Sequence, residues 1–197
     1  MSPALRGVVL HLRSRSIPAT GLVFLAAAAF TAAGYRAQDP GTAHAVGLIA
    51  AVLGVAALAR TLAGPDEELE RGTPVRWRLV RTLHLTLLAG VLLGLLAAVH
   101  AVADRPGHAV PPGSLALTVT ALAGLTALSA ALFGAQAAWV PPIGWALLMV
   151  AVGPRPSTFE QALTWMVQEP RTTTSTATAL TLAVLGAVAY ALRGSRH

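Results

Sequence analysis

Among the charged and imidazole side chains that could do chemistry, this sequence offers a few carboxylates, arginines and histidines, and it contains no cysteine and no lysine. The lack of cysteine excludes disulfides, thiolate metal sites and catalytic thiols. The lack of lysine excludes a Walker-type phosphate loop, so the chain does not bind and split ATP by that route. The paired carboxylates Glu67 and Glu68 could act as general bases on a buried peptide bond only from within an apolar environment. They lie in a polar segment instead, and we expect no catalytic residue and no enzyme activity.

Histidines offer the second possible chemistry, which is metal or haem binding. His44 and His100 fall near the ends of two apolar runs, and Asp104 and His108 follow closely. A haem pocket needs facing histidines within the apolar runs and more aromatic lining than a content of 5% provides. We therefore expect no metal or cofactor on this chain, and a haem-binding redox subunit stays an alternative.

The long polar segment at residues 60–84 interrupts an otherwise apolar sequence. Gly64 and Pro65 are followed by acids, which is typical of a helix start, because proline fits the first turn and acids oppose the positive end of the helix dipole. Gly72 ends this short helix, and Thr73 and Pro74 begin a second one. A solvated loop with a basic membrane anchor is the plain alternative. After Arg60, the segment holds four acids and then four more bases, namely Asp66, Glu67, Glu68, Glu70, Arg71, Arg76, Arg78 and Arg81.

The composition indicates an all-α polytopic membrane protein. Apolar residues make up 55% of the chain and charged residues 11%, against ~25% charged in soluble domains. A helix needs about 20 apolar residues to cross the hydrocarbon. The fifth run is short, and the Pro141 and Pro142 pair withholds backbone donors, so we expect a broken or re-entrant start that is buried against neighbours. The six predicted spans are residues 17–34, 42–62, 83–102, 114–138, 139–152 and 176–192.

One transmembrane domain accounts for residues 1–197. We predict an interfacial amphipathic helix at its start, because apolar residues there share one helical face. The competing interpretation is a signal peptide with its apolar part at residues 21–33. The predicted divisions are an interfacial helix at 1–16, spans one and two at 17–62, the polar segment at 63–82, spans three to five at 83–153, an outer loop at 154–175, and span six with a tail at 176–197.

The outer loop is predicted to contain a short amphipathic helix. Ser157 and Glu160 are spaced like a capping box. Phe159, Leu163 and Met166 then share a helical face with Val167 and with Trp165 close by, so we expect the helix to pack on the bundle as a lid or as an extracellular gate.

The arginine distribution predicts the orientation. Six spans place both termini on one side, and with the N-terminus inside, ten of the fourteen arginines are cytoplasmic. This fits the positive-inside rule, so we expect the polar segment and both termini in the cytoplasm. Membrane lipid, and not nucleic acid, is the expected partner of the net charge of +6. The four arginines outside are Arg36, Arg105, Arg155 and Arg171.

Small residues and the lack of charge characterise the spans. No acid, lysine or arginine lies in the middle of an apolar run, so we expect no coupling to an ion gradient through this chain. Gly90 and Gly94 have the spacing that lets two helices approach closely, and we interpret them as the better candidate for a dimer seam. Alanines at the same spacing in spans four and six are interpreted as packing within the chain.

The order of these features resembles the six-span permease subunits of bacterial type-2 ATP-binding-cassette (ABC) exporters. The resemblance rests on the architecture, on the segment GPDEELERGTP with its following arginines, and on Trp165, Gln168 and Pro170 followed by the YALRG tail at 190–194. It implies a bacterial cell membrane protein whose cytoplasmic coupling helix docks on separate ABC ATPase subunits. The implied ATPase-contacting residues are Pro65, Asp66, Glu67, Glu68, Leu69, Glu70 and Arg71.

The same resemblance implies a second permease subunit, identical or related, and ATP and magnesium bound on the partner ATPase. The apolar spans favour an amphiphilic or lipophilic cargo such as a peptide, an antibiotic or a natural product. The alternative of another class is a non-transporting accessory or immunity membrane protein.

Overall fold

The computed structural model describes residues 16–37, 40–63, 76–103, 112–168 and 171–195, and this part of the chain is helical without strands. The predicted interfacial helix and residues 64–75 of the polar segment lie outside the described residues. Two 3-10 turns, Tyr35–Ala37 and Arg60–Leu62, follow the first two helices. The helices are α1 Ile17–Gly34, α2 Pro40–Ala59, α3 Trp77–Ala103, α4 Pro112–Phe133, α5 Val140–Val152, α6 Thr158–Leu163 and α7 Thr173–Arg193.

Five of these helices, α1, α2, α3, α4 and α7, are long and apolar enough to cross a membrane. This confirms the all-α class and fits a membrane protein. The predicted fifth span, α5, has 13 residues, and at 1.5 Å per residue it is about 20 Å long. That is shorter than the ~30 Å of hydrocarbon, so a sixth crossing stays a prediction.

Two helix boundaries show how local chemistry sets the spans. α3 begins at Trp77, so Arg78 and Arg81 belong to the helix that continues into the apolar run. The predicted start of this helix at Thr73 and Pro74 lies outside the described residues, and Arg76 precedes the helix. α4 ends at Phe133, although the sequence predicted a span to residue 138. Gly134 has a φ of 89°, a left-handed conformation that ends helices, and a turn follows it.

The short helix α5 differs from the expectation of a broken start. Its prolines occupy the first turn, where backbone donors need no helical partner, and the helix continues without a break. Pro142, Ala146 and Met149 are buried. Leu147 and Val150 are more than 60% exposed on the opposite face. The prediction that α5 is buried against neighbours is therefore right for one face only.

Helix α4 is the centre of the described bundle. It contacts α2, α3, α5 and α7. Of the residues in its 18-residue apolar stretch, 72% are buried. Its most extensive contact is with α7. There a Cβ added to Gly186 would lie 1.7 Å from the carbonyl oxygen of Gly124, so the two backbones touch directly. Ala123, Ala127 and Ala179 are buried, as their interpretation as packing residues predicted.

Contacts between helix ends divide the bundle into two ends. Thr61 at the end of α2 meets His84 near the start of α3. Residue 114 at the start of α4 meets residue 171, just before α7, on the other side. We call the end that residues 64–75 leave and rejoin the segment end, and the end that carries α6 the loop end.

Candidate functional site

The candidate site predicted from the sequence is the polar segment, and the structure describes the two points where it meets the bundle. Residues 65–71, the predicted ATPase contacts, lie outside the described residues, so this prediction is untested. Ala63, with a ψ of 119°, ends the turn after α2, and Arg76 precedes α3. The question for the described residues is how firmly these two points are held.

A histidine and a threonine join α3 to the turn after α2. His84 Nε2 lies 3.1 Å from Thr61 Oγ1. The Thr61 hydroxyl donates its single hydrogen to the Leu58 carbonyl oxygen at 2.8 Å. A hydroxyl has one donor hydrogen, so His84 Nε2–H must be the donor toward Thr61. Thr61 is fully buried, and this bond fixes the start of α3 beside the end of α2.

A buried tyrosine joins α7 to the same turn. The Tyr190 hydroxyl donates to the Leu62 carbonyl oxygen at 3.0 Å. Both side chains are at most 1% exposed, so water does not compete for this bond. The turn that follows α2 is therefore linked to the last turn of α7 across 128 positions of sequence.

An arginine joins α3 to the end of α7. Gly194 follows α7 with a φ of 72°, and a Cβ added there would lie 2.7 Å from the guanidinium carbon of Arg81. The guanidinium therefore packs against the Gly194 backbone, and a side chain added at 194 would require the guanidinium to move. A cation at a helix C-terminus interacts favourably with the negative end of the helix dipole.

These contacts form one unit, which we call the segment-end anchor: Thr61, Leu62, Arg81, His84, Tyr190 and Gly194. The anchor ties the ends of α2, α3 and α7 together where residues 64–75 leave and return. A displacement of that segment would act on three helices at once. The sequence pointed to Arg81 and, in the YALRG tail, to Tyr190 and Gly194. It did not bring these residues together, because the partners are far apart in the chain.

Charge is asymmetric between the two ends. Among the described residues the only acid is Glu160, which lies at the loop end. The acids that would balance the segment end belong to residues 64–75 themselves. The arginines described at the segment end are Arg60, Arg76, Arg78, Arg81 and Arg193.

The predicted dimer residues lie on an open face of α3. A Cβ added at Gly90 or Gly94 would meet no described atom within 4 Å, and both positions are exposed. The glycines at 54, 124 and 186 are different, since an added Cβ there would clash with α3, α7 or α4. The fold within this chain thus has no need of glycine at 90 and 94, whereas the predicted dimer would.

The histidines considered as an alternative haem site are described only in part, and the cavity beside His100 has no room for a haem. His100 Nδ1 bonds the Leu96 carbonyl oxygen at 2.8 Å, and its ring packs edge-on against Tyr35. The cavity beside it, bordered by Gly47 and Thr118, has a volume of about 20 Å³, which is room for one water molecule. The His44 side chain, Asp104 and His108 lie outside the described residues.

At the loop end, Arg171 is a structural residue that the sequence did not reveal. Its Nε donates to Ser114 Oγ at 3.0 Å and one Nη donates to the Ser114 carbonyl oxygen at 3.1 Å. It also bonds Thr118 Oγ1 and, at 3.3 Å, the Trp165 carbonyl oxygen. The guanidinium therefore docks the loop onto the start of α4. The spacing of 57 residues left no local signal.

Ser157 is confirmed as the cap of the outer helix. The reciprocal bond of a capping box is replaced by one between the Ser157 hydroxyl and the Glu160 carboxylate, and the predicted packing face is not observed. Ser157 accepts a hydrogen bond from the Glu160 backbone N–H, and its hydroxyl donates to the Glu160 carboxylate. Phe159 is 73% exposed, whereas Trp165 and Met166 are buried in the turn after the helix. α6 ends at residue 163, so these residues do not share one helical face.

The chain matches no known family model, no curated protein and no solved structure.

Proposed function

We propose that this protein is the permease subunit of an ATP-driven exporter of the type-2 ABC class in a bacterial cell membrane. Its energy comes from separate cytoplasmic ATPase subunits, which bind ATP and magnesium and dock on the coupling residues 65–71. The chain itself is not an enzyme. Both termini and the coupling segment lie in the cytoplasm.

The observation that carries this proposal is the segment-end anchor. An ATPase acts at a distance on a permease only if its docking site is rigidly joined to the spans. His84 joins α3 to α2, Tyr190 joins α7 to α2, and Arg81 joins α3 to α7. A push on residues 64–75 therefore moves the ends of three spans together. A solvated loop that served only as a membrane anchor would not need such connections.

The distribution of charge in the sequence supports an external energy source. In α1, α2, α4 and α5 there is no acid and no base of the arginine or lysine type. α3 and α7 carry arginine only at their segment ends. Proton and ion pathways use ionisable groups within the spans, so a transport role for this chain calls for energy from a partner.

The open glycine face of α3 supports a second permease subunit. Gly90 and Gly94 would let a neighbouring helix approach closely, as small residues do at membrane helix contacts. We assign this face to an identical or related permease half, and the cargo path to the space between the two halves. The apolar surfaces of the spans favour an amphiphilic or lipophilic cargo.

The test is purification of the full chain from its native membranes in a mild detergent, followed by measurement of ATP hydrolysis in the purified material. Wild type should retain an ATPase subunit and hydrolyse ATP. Replacement of Glu67, Glu68 and Glu70 by alanine should release the ATPase. The matched control Glu160→Gln removes an acid from the loop end and should retain it.

Retention of the ATPase and of full hydrolysis in the triple variant would refute the docking site. A stable monomer that brings no ATPase with it would refute the whole proposal and favour a non-transporting accessory protein.

A further inference from the structure

A groove opens at the segment end between α1, α2 and α5. Its volume is about 380 Å³, which falls within the range of ligand pockets. Ala19 and Val23 of α1 and Ala56 and Ala57 of α2 form an apolar wall. Arg60 and Trp139 complete its lining at the ends of α2 and α5. The groove is therefore apolar along the bundle and carries one cation at its mouth.

The polar groups of the groove leave its arginine available. The Thr20 hydroxyl lies within hydrogen-bond distance of two carbonyl oxygens, 3.2 Å from Ser16 and 3.4 Å from Ala57. Thr20 is buried, so it holds α1 against α2 and offers little to a ligand. Arg60 is exposed and has no hydrogen bond or ion pair with the described residues. Trp139 is 44% exposed beside it.

We propose that this groove binds one anionic glycerophospholipid of the adjacent leaflet. The lipid phosphate pairs with Arg60, whose guanidinium matches phosphate geometry. An acyl chain lies along the alanines and Val23. Trp139 sits at headgroup level, where tryptophan is enriched in membrane proteins. On the orientation of the proposed function, on which this step rests, the groove faces the cytoplasm, where basic pockets between spans bind anionic headgroups.

Charge complementarity favours the lipid over the N-terminal residues as the occupant. Residues 1–15 join α1 beside the groove, but they contain three arginines and no acid, so they would place cations against a cation. The acids of residues 64–75 would complement Arg60 as an anionic lipid does. A rise in bound phosphatidylglycerol when Glu67, Glu68 and Glu70 are replaced by alanine would show that these acids occupy the groove, and it would overturn the proposal.

The test is native mass spectrometry of the purified full chain, mixed with equal amounts of dioleoylphosphatidylglycerol and dioleoylphosphatidylcholine. Wild type should retain one phosphatidylglycerol in preference. Arg60→Gln should lower that retention about fivefold, since one surface arginine contributes roughly this factor. Arg193→Gln is the matched control, because it removes an exposed arginine of the same end away from the groove, and it should change retention less than twofold.

Ala19→Phe tests the groove separately from the charge, because Ala19 is exposed and a larger side chain there fills the cavity without entering the core. It should lower the retention of both lipids, and Trp139→Ala should weaken phosphatidylglycerol retention in the same direction. Equal losses in Arg60→Gln and Arg193→Gln would overturn the proposal, as would full retention in Ala19→Phe. A gain of bound lipid after deletion of residues 1–15 would show that this segment covers the groove, and would also overturn it.

Discussion

The substitution Gly186→Ala tests the packing of the bundle most sharply. A Cβ at position 186 would lie 1.7 Å from the carbonyl oxygen of Gly124, 2.3 Å from its carbonyl carbon and 2.7 Å from its Cα. All three atoms belong to the backbone of α4, so no side-chain rotation relieves the clash. α4 and α7 must separate.

The separation follows from contact distances. The most favourable separation of two non-bonded heavy atoms is about 3.5 Å, so the helices must move apart by roughly 2 Å at this point. Overpacking of a core costs about 1–3 kcal/mol, and a clash between backbones falls at the upper end of that range. For a chain of this size, 1 kcal/mol shifts Tm by about 2–4 °C. We expect Gly186→Ala to lower Tm by about 6–12 °C.

The matched control is Gly144→Ala in α5, where an added Cβ meets nothing within 4 Å. Alanine forms helix better than glycine by up to about 1 kcal/mol, so this variant should unfold at the wild-type temperature or slightly above it. Intrinsic tryptophan fluorescence reports the transition in detergent, because Trp165 is fully buried. A Tm of Gly186→Ala within 2 °C of wild type would refute the close approach of α4 and α7, and so would an equal loss in Gly144→Ala.

Three further changes test other parts of the structure. Arg171→Gln removes charged hydrogen bonds worth about 1.5–3 kcal/mol each, so the rate of hydrogen exchange in the outer loop should rise at least tenfold. Arg155→Gln is the control, because Arg155 is exposed in the same loop, and it should leave the exchange rate unchanged. Tyr190→Phe removes the bond to Leu62, so the ATPase should stay bound while its stimulation by the permease falls; unchanged stimulation would count against the anchor. Gly94→Leu should abolish the permease dimer in native gels, and a persisting dimer would exclude this face.

The sequence predicted the helices well where a continuous apolar run has a clear local boundary. α1 begins and ends at the predicted residues, with Pro18 in its first turn. Ser157 was correctly identified as a cap, because caps depend on neighbours in sequence. α4 was predicted too long, since Gly134 lies within an apolar stretch and its left-handed conformation leaves no trace in hydropathy.

Contacts between distant residues could not be predicted in this way. Gly124 and Gly186 form the closest crossing, yet they are two glycines among eighteen. Tyr190 and Leu62 meet across 128 positions, and neither is an unusual residue in an apolar helix. Periodicity reports which face of a helix is apolar, but it does not report which partner covers that face.

Coupling to a cytoplasmic ATPase requires that the charged segment at 64–75 lies on the cytoplasmic side of the membrane, and cysteine labelling measures this. The chain has no cysteine, so single cysteines introduced as Glu68→Cys and as Thr158→Cys are the only thiols. Spheroplasts, which lack the cell wall but keep an intact membrane, are treated with a membrane-impermeant maleimide before and after permeabilisation. The account predicts that the cysteine at 158 is labelled in intact cells and that the cysteine at 68 is labelled only after permeabilisation. Labelling at 68 in intact cells would contradict both the orientation and the proposed coupling to a cytoplasmic ATPase.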